Sequence, residues 1–289
     1  MTTGTLKSLG YAAFLAACAG VCWPSLRELV RLSLAEDTYS HILLIPVITV
    51  ALMWMKRGGG GEWKGSSPWP AATLLAVGVL LLGAAWRFDI LFPGGNPLWV
   101  RILALVFWTW AGFFFFFGRE AFRSVRFPLL FLLLAVPLPR EVVEEFIEWL
   151  RIGSAEVTYA LFRLSGTPVL RHGYVFVVPG VSIDIAPECS GIRSAIALLI
   201  TCLLAGYLFL RSSWARTALL VAALPVLVIK NGVRIVTLTL LAIHVDPGFL
   251  HGDLHRKGGF VFFLLGLLVL WPVLLGLQAL EARLMKRFG

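Results

Sequence analysis

Charge is scarce in this chain. Only 14% of its 289 residues are Asp, Glu, Lys or Arg, while 59% are hydrophobic. A soluble domain of this length cannot hide so much apolar surface, which excludes a water-soluble enzyme or binding module. Cysteines number only four. Cys18 and Cys22 lie four apart in one apolar run, poor geometry for a disulfide, and with Cys202 they read as small buried hydrophobes. No soluble stretch interleaves basic residues with stacking aromatics, so nucleic acid is not an expected partner. No clear internal repeat divides the chain, which weakens a transporter made of duplicated halves. The first apolar run lacks a strongly basic start and a small-x-small site, so it reads as a membrane helix and not as a removed leader.

What the chain does have is long apolar runs. Crossing a bilayer takes ~20 apolar residues. Eight runs meet or approach that length, at roughly residues 8–26, 41–55, 69–86, 98–117, 127–138, 189–210, 218–242 and 258–280. The second is short, and so is the fifth, which ends in Pro137-Leu138-Pro139. The expected fold is an all-α polytopic membrane protein of about eight transmembrane helices, one integral membrane domain over residues 1–289. Gly58 to Gly61 with Ser66-Ser67-Pro68 reads as a flexible connection. Phe113 to Phe117 and the tryptophans read as lipid-facing or interfacial packing.

Charge sets the expected orientation. One side of this arrangement holds twelve Lys or Arg and three acids; the other holds nine and thirteen. The positive-inside rule assigns the first side, with both termini, to the cytoplasm. The basic pI then reflects topology in a cytoplasmic (inner) membrane.

The long non-spanning stretch, residues 139–188, is expected on the extracytoplasmic side. Its first half has helical periodicity. Val143, Phe146, Ile147, Leu150, Val157, Ala160 and Leu161 form an apolar face among Glu141, Glu144, Glu145, Glu148, Arg151 and Glu156, an amphipathic helix lying on the membrane or against the spans. Ser165-Gly166-Thr167-Pro168 stops it. The second half reads as a short β-hairpin, Val175 to Val178 and Val181 to Ile185 around Pro179-Gly180.

The hairpin delivers the chain to Cys189, at the mouth of an apolar run in Pro187-Glu188-Cys189-Ser190-Gly191-Ile192-Arg193-Ser194. Arg234 follows in Asn231-Gly232-Val233-Arg234-Ile235, roughly 12 Å below the outer end of its run at ~1.5 Å per residue. His255 follows in His255-Arg256-Lys257-Gly258-Gly259. A thiol, a guanidinium and an imidazole at one membrane surface are the parts of thiol acyl chemistry. An arginine inside a span is costly unless paired; Asp184 or Glu188 would be its structural partner.

In order along the chain, these segments resemble the exosortase/archaeosortase family of membrane transpeptidases. Asp37-Thr38-Tyr39-Ser40-His41 resembles its early D-x-Y-S-H segment, and Leu164 to Val169 with the hairpin its approach to the active site. Cys189 to Ser194, Asn231 to Ile235 and His255 to Gly259 resemble its cysteine, N-x-x-R and H-x-x-x-G motifs. The resemblance covers residues ~37 to ~265. It implies a protease or transpeptidase that cuts exported proteins near a C-terminal sorting signal: a Pro-containing motif, a transmembrane helix and a basic tail. The acyl group passes to an acceptor that the sequence does not identify. Cys189 is then the nucleophile, with Arg234 and His255 as the second and third catalytic groups.

Residue chemistry suits those roles. The thiolate is the reactive form of cysteine, and a helix N-terminus at Cys189 favours it. Arg193, one turn on along the same helix face, adds positive charge, whereas the Glu188 carboxylate opposes it. His255 moves the proton. Arg234, always charged and a poor base, is expected to face the oxyanion or the substrate carbonyl, and Asn231, three residues earlier, to orient Arg234 or donate to the substrate. Ser190, Asp37, Tyr39 and His41 are candidate supporting or substrate contacts. No cofactor is expected. His244, His251 and Asp253 beside His255 also suggest a metal site, but the cysteine motif is unlike a metal-ligand pair. Two other functions stay open: an anion or solute transporter using Arg193, Lys230 and Arg234, and an envelope-assembly scaffold without catalysis.

Overall fold

A computed structural model describes residues 3–57, 63, 65–91, 97–250 and 259–288. Seven helices among the described residues are long and apolar enough to cross a membrane: Gly4–Val21, Asp37–Lys56, Pro68–Ile90, Leu98–Ser124, Ile192–Phe209, Ser213–His244 and Gly259–Lys286. The chain is an all-α polytopic membrane protein with a small sheet. It divides into two compact units, Met1–Pro139 and Arg140–Gly289.

The first unit holds α1 (Thr3–Val21), α2 (Trp23–Ala35), a 3-10 turn at Asp37–Tyr39, α3 (Leu44–Arg57), α4 (Pro68–Leu91), α5 (Leu98–Ser124) and α6 (Arg126–Phe131). Trp54, Trp69 and Leu80 point outward from these helices and stay exposed, as bilayer-facing side chains do. α5 breaks at Gly118, whose φ of 81° only glycine adopts readily. The break leaves Phe114 O and Arg119 N to the incoming connection: Ser67 N donates to Phe114 O at 3.0 Å and Arg119 N to Ser67 Oγ at 3.0 Å.

The fifth apolar run departs from a single spanning helix. α6 is six residues long, four residues of 3-10 helix follow at Leu132–Ala135, and Val136 is extended. Pro137 explains the stop, because the residue before a proline is driven out of the α region. Trp110 Nε1 donates to Leu129 O at 2.9 Å and the Tyr39 hydroxyl to Leu138 O at 3.2 Å. The run thus reaches from the end of α5 to the turn that opens α3. At ~1.5 and ~2.0 Å per residue for α and 3-10 helix, its helical part, Arg126–Ala135, covers about 17 Å, short of the ~30 Å hydrocarbon core, so it is a short apolar helix and not one of the long spanning helices.

The second unit holds α7 (Arg140–Leu164), β1 (Leu170–His172), β2 (Val175–Val178), β3 (Val181–Asp184), α8 (Ile192–Phe209), α9 (Ser213–His244) and α10 (Gly259–Phe288). The expected amphipathic helix is α7, and it packs against a span. Glycines set that contact. A Cβ on Gly232 would stand 2.5 Å from Val157 Cγ1, and one on Gly153 2.8 Å from Val228 Cγ1. α7 and α9 therefore approach more closely than side chains at these positions would permit. The expected hairpin is present with a third strand, in the antiparallel order β1-β2-β3. Phe176 and Val178 turn inward beside Phe162, Ile185, Ile235 and Val236, so the sheet is welded to α7 and α9 by apolar contact. At the opposite end of α9, the Glu281 carboxylate of α10 accepts Arg211 N at 3.1 Å and Ser212 N at 2.6 Å. That satisfies amide donors where α9 begins and places negative charge at its N-terminus.

Candidate active site

Cys189 lies in a 3-10 turn, Pro187–Ser190, between β3 and α8. Its amide donates to Ala186 O at 2.8 Å, and its side chain is half-buried. Gly191 ends the turn with φ 73° and ψ 21° and caps α8. This left-handed residue takes Cys189 out of the helix, which corrects one expectation. Cys189 lies before the first turn of α8, so it and Arg193 do not share one helix face. Arg193 is instead an exposed residue at the start of α8.

Helix α9 holds the turn in two places. Asn231, 1% exposed, donates from Nδ2 to Cys189 O at 3.0 Å and to Ser154 Oγ of α7 at 2.9 Å. Lys230, 3% exposed, donates from Nζ to Ser194 Oγ at 2.6 Å, and Ser194 Oγ donates to Gly191 O at 3.0 Å. Four residues beyond Lys230, Arg234 is partly buried and interacts electrostatically with Cys189. The cysteine and arginine, far apart in sequence, thus share one site. Ser190 Oγ and Asn231 Oδ1 are buried there and lack hydrogen-bond partners among the described residues. A Cβ on Gly191 would come within 2.7 Å of Asn231 Oδ1, so this glycine is required by space as well as by φ.

A second fastening holds the approach to the turn. Arg151 Nε of α7 donates to Ile185 O at 2.9 Å, four residues before Cys189, and Arg151 Nη1 donates to Glu148 Oε2 at 2.9 Å. The Arg151 guanidinium lies 4.0 Å over the Tyr174 ring, and the Tyr174 hydroxyl donates to Glu148. That hydrogen bond, then Arg151, holds the Glu148 carboxyl below the usual carboxylate range. The same bond, with Glu148's negative charge, pushes the Tyr174 phenol up.

Asp37, Tyr39 and His41 belong to the first unit, where Tyr39 is buried and its hydroxyl holds Leu138, while His41 Nδ1 pairs with Thr38 O at 3.1 Å. His251, Asp253, His255 and the Glu188 side chain lie outside what the structure describes. His244 is exposed, and no metal-binding group of three His, Cys, Asp or Glu residues occurs among the described residues. Sequence reading missed Ser154 and Ser194 and weighed Lys230 only as a transporter residue. The cost of burying a lysine in an apolar run was the available signal for Lys230.

With the geometry in hand, comparison with known proteins is decisive at one level. The family model for transmembrane exosortases matches residues 30–272. The chain belongs to the transmembrane exosortase family. No curated protein and no solved structure matches it. Membership makes this exosortase a multi-pass membrane protein and places it, at family level, among membrane transpeptidases and proteases. The match takes in Cys189, Asn231, Arg234 and His255 in one continuous stretch.

Proposed function

We propose that this exosortase cleaves C-terminal sorting signals of exported membrane proteins through a thioester on Cys189, at the extracytoplasmic face of the inner membrane. The observation that carries the reading is the convergence of Cys189, Asn231 and Arg234 at one turn. Cys189 Sγ attacks the scissile carbonyl carbon, and its proton passes to His255. Arg234, partly buried beside the turn, stabilises the oxyanion of the tetrahedral intermediate. The intermediate collapses, the C–N bond breaks, and His255 returns the proton to the departing amine. An acceptor nucleophile, or water, then attacks the thioester and releases the cysteine.

Asn231 and Lys230 act as positioning groups, fixing the backbone at the nucleophile and just after it. Ser190 Oγ and Asn231 Oδ1 are spare buried groups that an extended substrate backbone can satisfy. The charge asymmetry between the two sides supports cytoplasmic termini and an outward-facing site.

The test is co-expression with a tagged candidate substrate ending in a Pro-containing motif, a transmembrane helix and a basic tail. A gel shift dependent on the thiol, lost in Cys189→Ala and Cys189→Ser at equal protein levels, is the expected result. Cleavage that survives both substitutions refutes the nucleophile. A transporter, by contrast, tolerates loss of Cys189 and fails on loss of Arg234.

A further inference from the structure

The first unit carries a half-open cavity of about 570 Å³ among α1, α2, α3, α5 and α6. Its walls come largely from helices of the membrane-spanning set, including Thr49, Val50 and Trp54 of α3 and Val106, Thr109 and Phe113 of α5. No charged side chain lines it among the described residues. Thr109 Oγ1 is satisfied by Leu105 O at 2.9 Å, and the Tyr11 hydroxyl by Thr109 O at 3.2 Å. Thr49, 2% exposed, is the lining residue whose hydroxyl lacks a partner among the described residues.

Three fillings are physically available, and two fail. Left empty, an apolar cavity of this size would forgo the dispersion contacts that its lining side chains can make. A buried water needs ~2–4 polar partners, and one unpartnered hydroxyl does not hold the many waters this volume would take. Hydrocarbon remains. An apolar cavity of about 150 Å³ takes one benzene, so on that scale this one takes roughly twenty carbons, one lipid chain. A transmembrane helix, ~10–12 Å across and ~30 Å long, is several times too large. Val50 and Trp54 line the cavity yet are 66% and 79% exposed, so it opens sideways from α3 to the bilayer, where lipid chains are the solvent.

We infer that the first unit holds a single membrane-lipid acyl chain as a resident ligand, distinct from the annular lipids around the helices. The inference is independent of the cysteine chemistry. It is tested on the full-length protein in nanodiscs that contain phosphatidylethanolamine with a diazirine-tagged palmitoyl chain. After photolysis, peptide mapping compares the cavity wall at Val106, Thr109 and Phe113 with the exposed α4 positions Val79 and Leu80. The expected result is cavity labelling that persists after dilution into unlabelled lipid, while α4 labelling falls severalfold. Ala135→Phe and Leu132→Phe, which project bulk into the cavity, lower the wall labelling severalfold and leave α4 unchanged. Wall labelling that dilutes as fast as α4, or that is unmoved by both substitutions in folded protein, overturns the inference. The dilution comparison needs only wild type, so it decides the matter even if both variants misfold.

Discussion

Replacing Gly191 by alanine separates backbone strain from loss of site geometry, because a second glycine supplies the control. Gly180, in the β2–β3 turn, has φ 84° and nothing within 4 Å of where a Cβ would stand, whereas a Cβ on Gly191, at φ 73°, meets Asn231 Oδ1 at 2.7 Å. Gly180→Ala therefore costs only the left-handed conformation, about 1–2 kcal/mol. Gly191→Ala costs the same strain and also forces Asn231 aside. Asn231 then loses its hydrogen bonds to Cys189 O at 3.0 Å and Ser154 Oγ at 2.9 Å. At about 1 kcal/mol each, those bonds add about 2 kcal/mol, or roughly thirtyfold in the folding equilibrium. Activity should suffer more, since a displacement of ~1 Å at a reacting group costs on the order of a hundredfold. Thermal unfolding in detergent gives the first quantity and cleavage of a tagged substrate the second. Equal losses for the two alanine variants in both assays would refute the claim that Asn231 holds the cysteine turn.

Three further outcomes follow from neighbouring contacts. Lys230→Met removes the donor to Ser194 Oγ and should lower the alkylation rate of Cys189 by about tenfold at constant expression, with Lys230→Arg recovering part of it; unchanged rates would remove Lys230 from the site. Gly232→Val drives a side chain into Val157 and should destabilise the second unit by about 1–3 kcal/mol in thermal unfolding, with Gly276→Val, which has open space, as the neutral reference. The Glu148–Tyr174 bond should protect residues 170–185 from hydrogen exchange over a bounded pH window. Glu148's lowered value means its contribution is complete above ~4.3 and lost as pH falls through the folded value; Tyr174's raised value means its contribution is complete below ~10 and lost as pH rises through the folded value. Tyr174→Phe should abolish the alkaline edge and weaken the acid one, part of which Arg151 maintains.

Much of this architecture was legible because one-dimensional patterns dictate it. Apolar runs near twenty residues long must span or be buried, so seven of the eight expected spans appear as long helices. Pro179-Gly180 between β-branched runs dictated the turn, and Gly180 indeed takes a positive φ. The fifth run was read by length, but its form was decided by Pro137 and by the partners at Leu129 and Leu138, which give a short broken segment in place of a continuous spanning helix.

The order of Cys189, Asn231, Arg234 and His255 is a property of the sequence, and it sufficed to indicate a family. Their arrangement is not. Helical spacing suggested Arg193 as the cation beside the thiol, yet one left-handed glycine changes the phase of the chain between them. The hydrogen bonds described at the cysteine turn come largely from other helices: Asn231 of α9, with Ser154 of α7 behind it, and Lys230 of α9 acting through Ser194. Those contacts exist because Gly153 and Gly232 let α7 and α9 close together, a fact about two surfaces meeting. Hydrophobicity and spacing are local and can be read along a chain. Which polar atoms satisfy one another depends on packing between distant segments, and only the tertiary structure decides it.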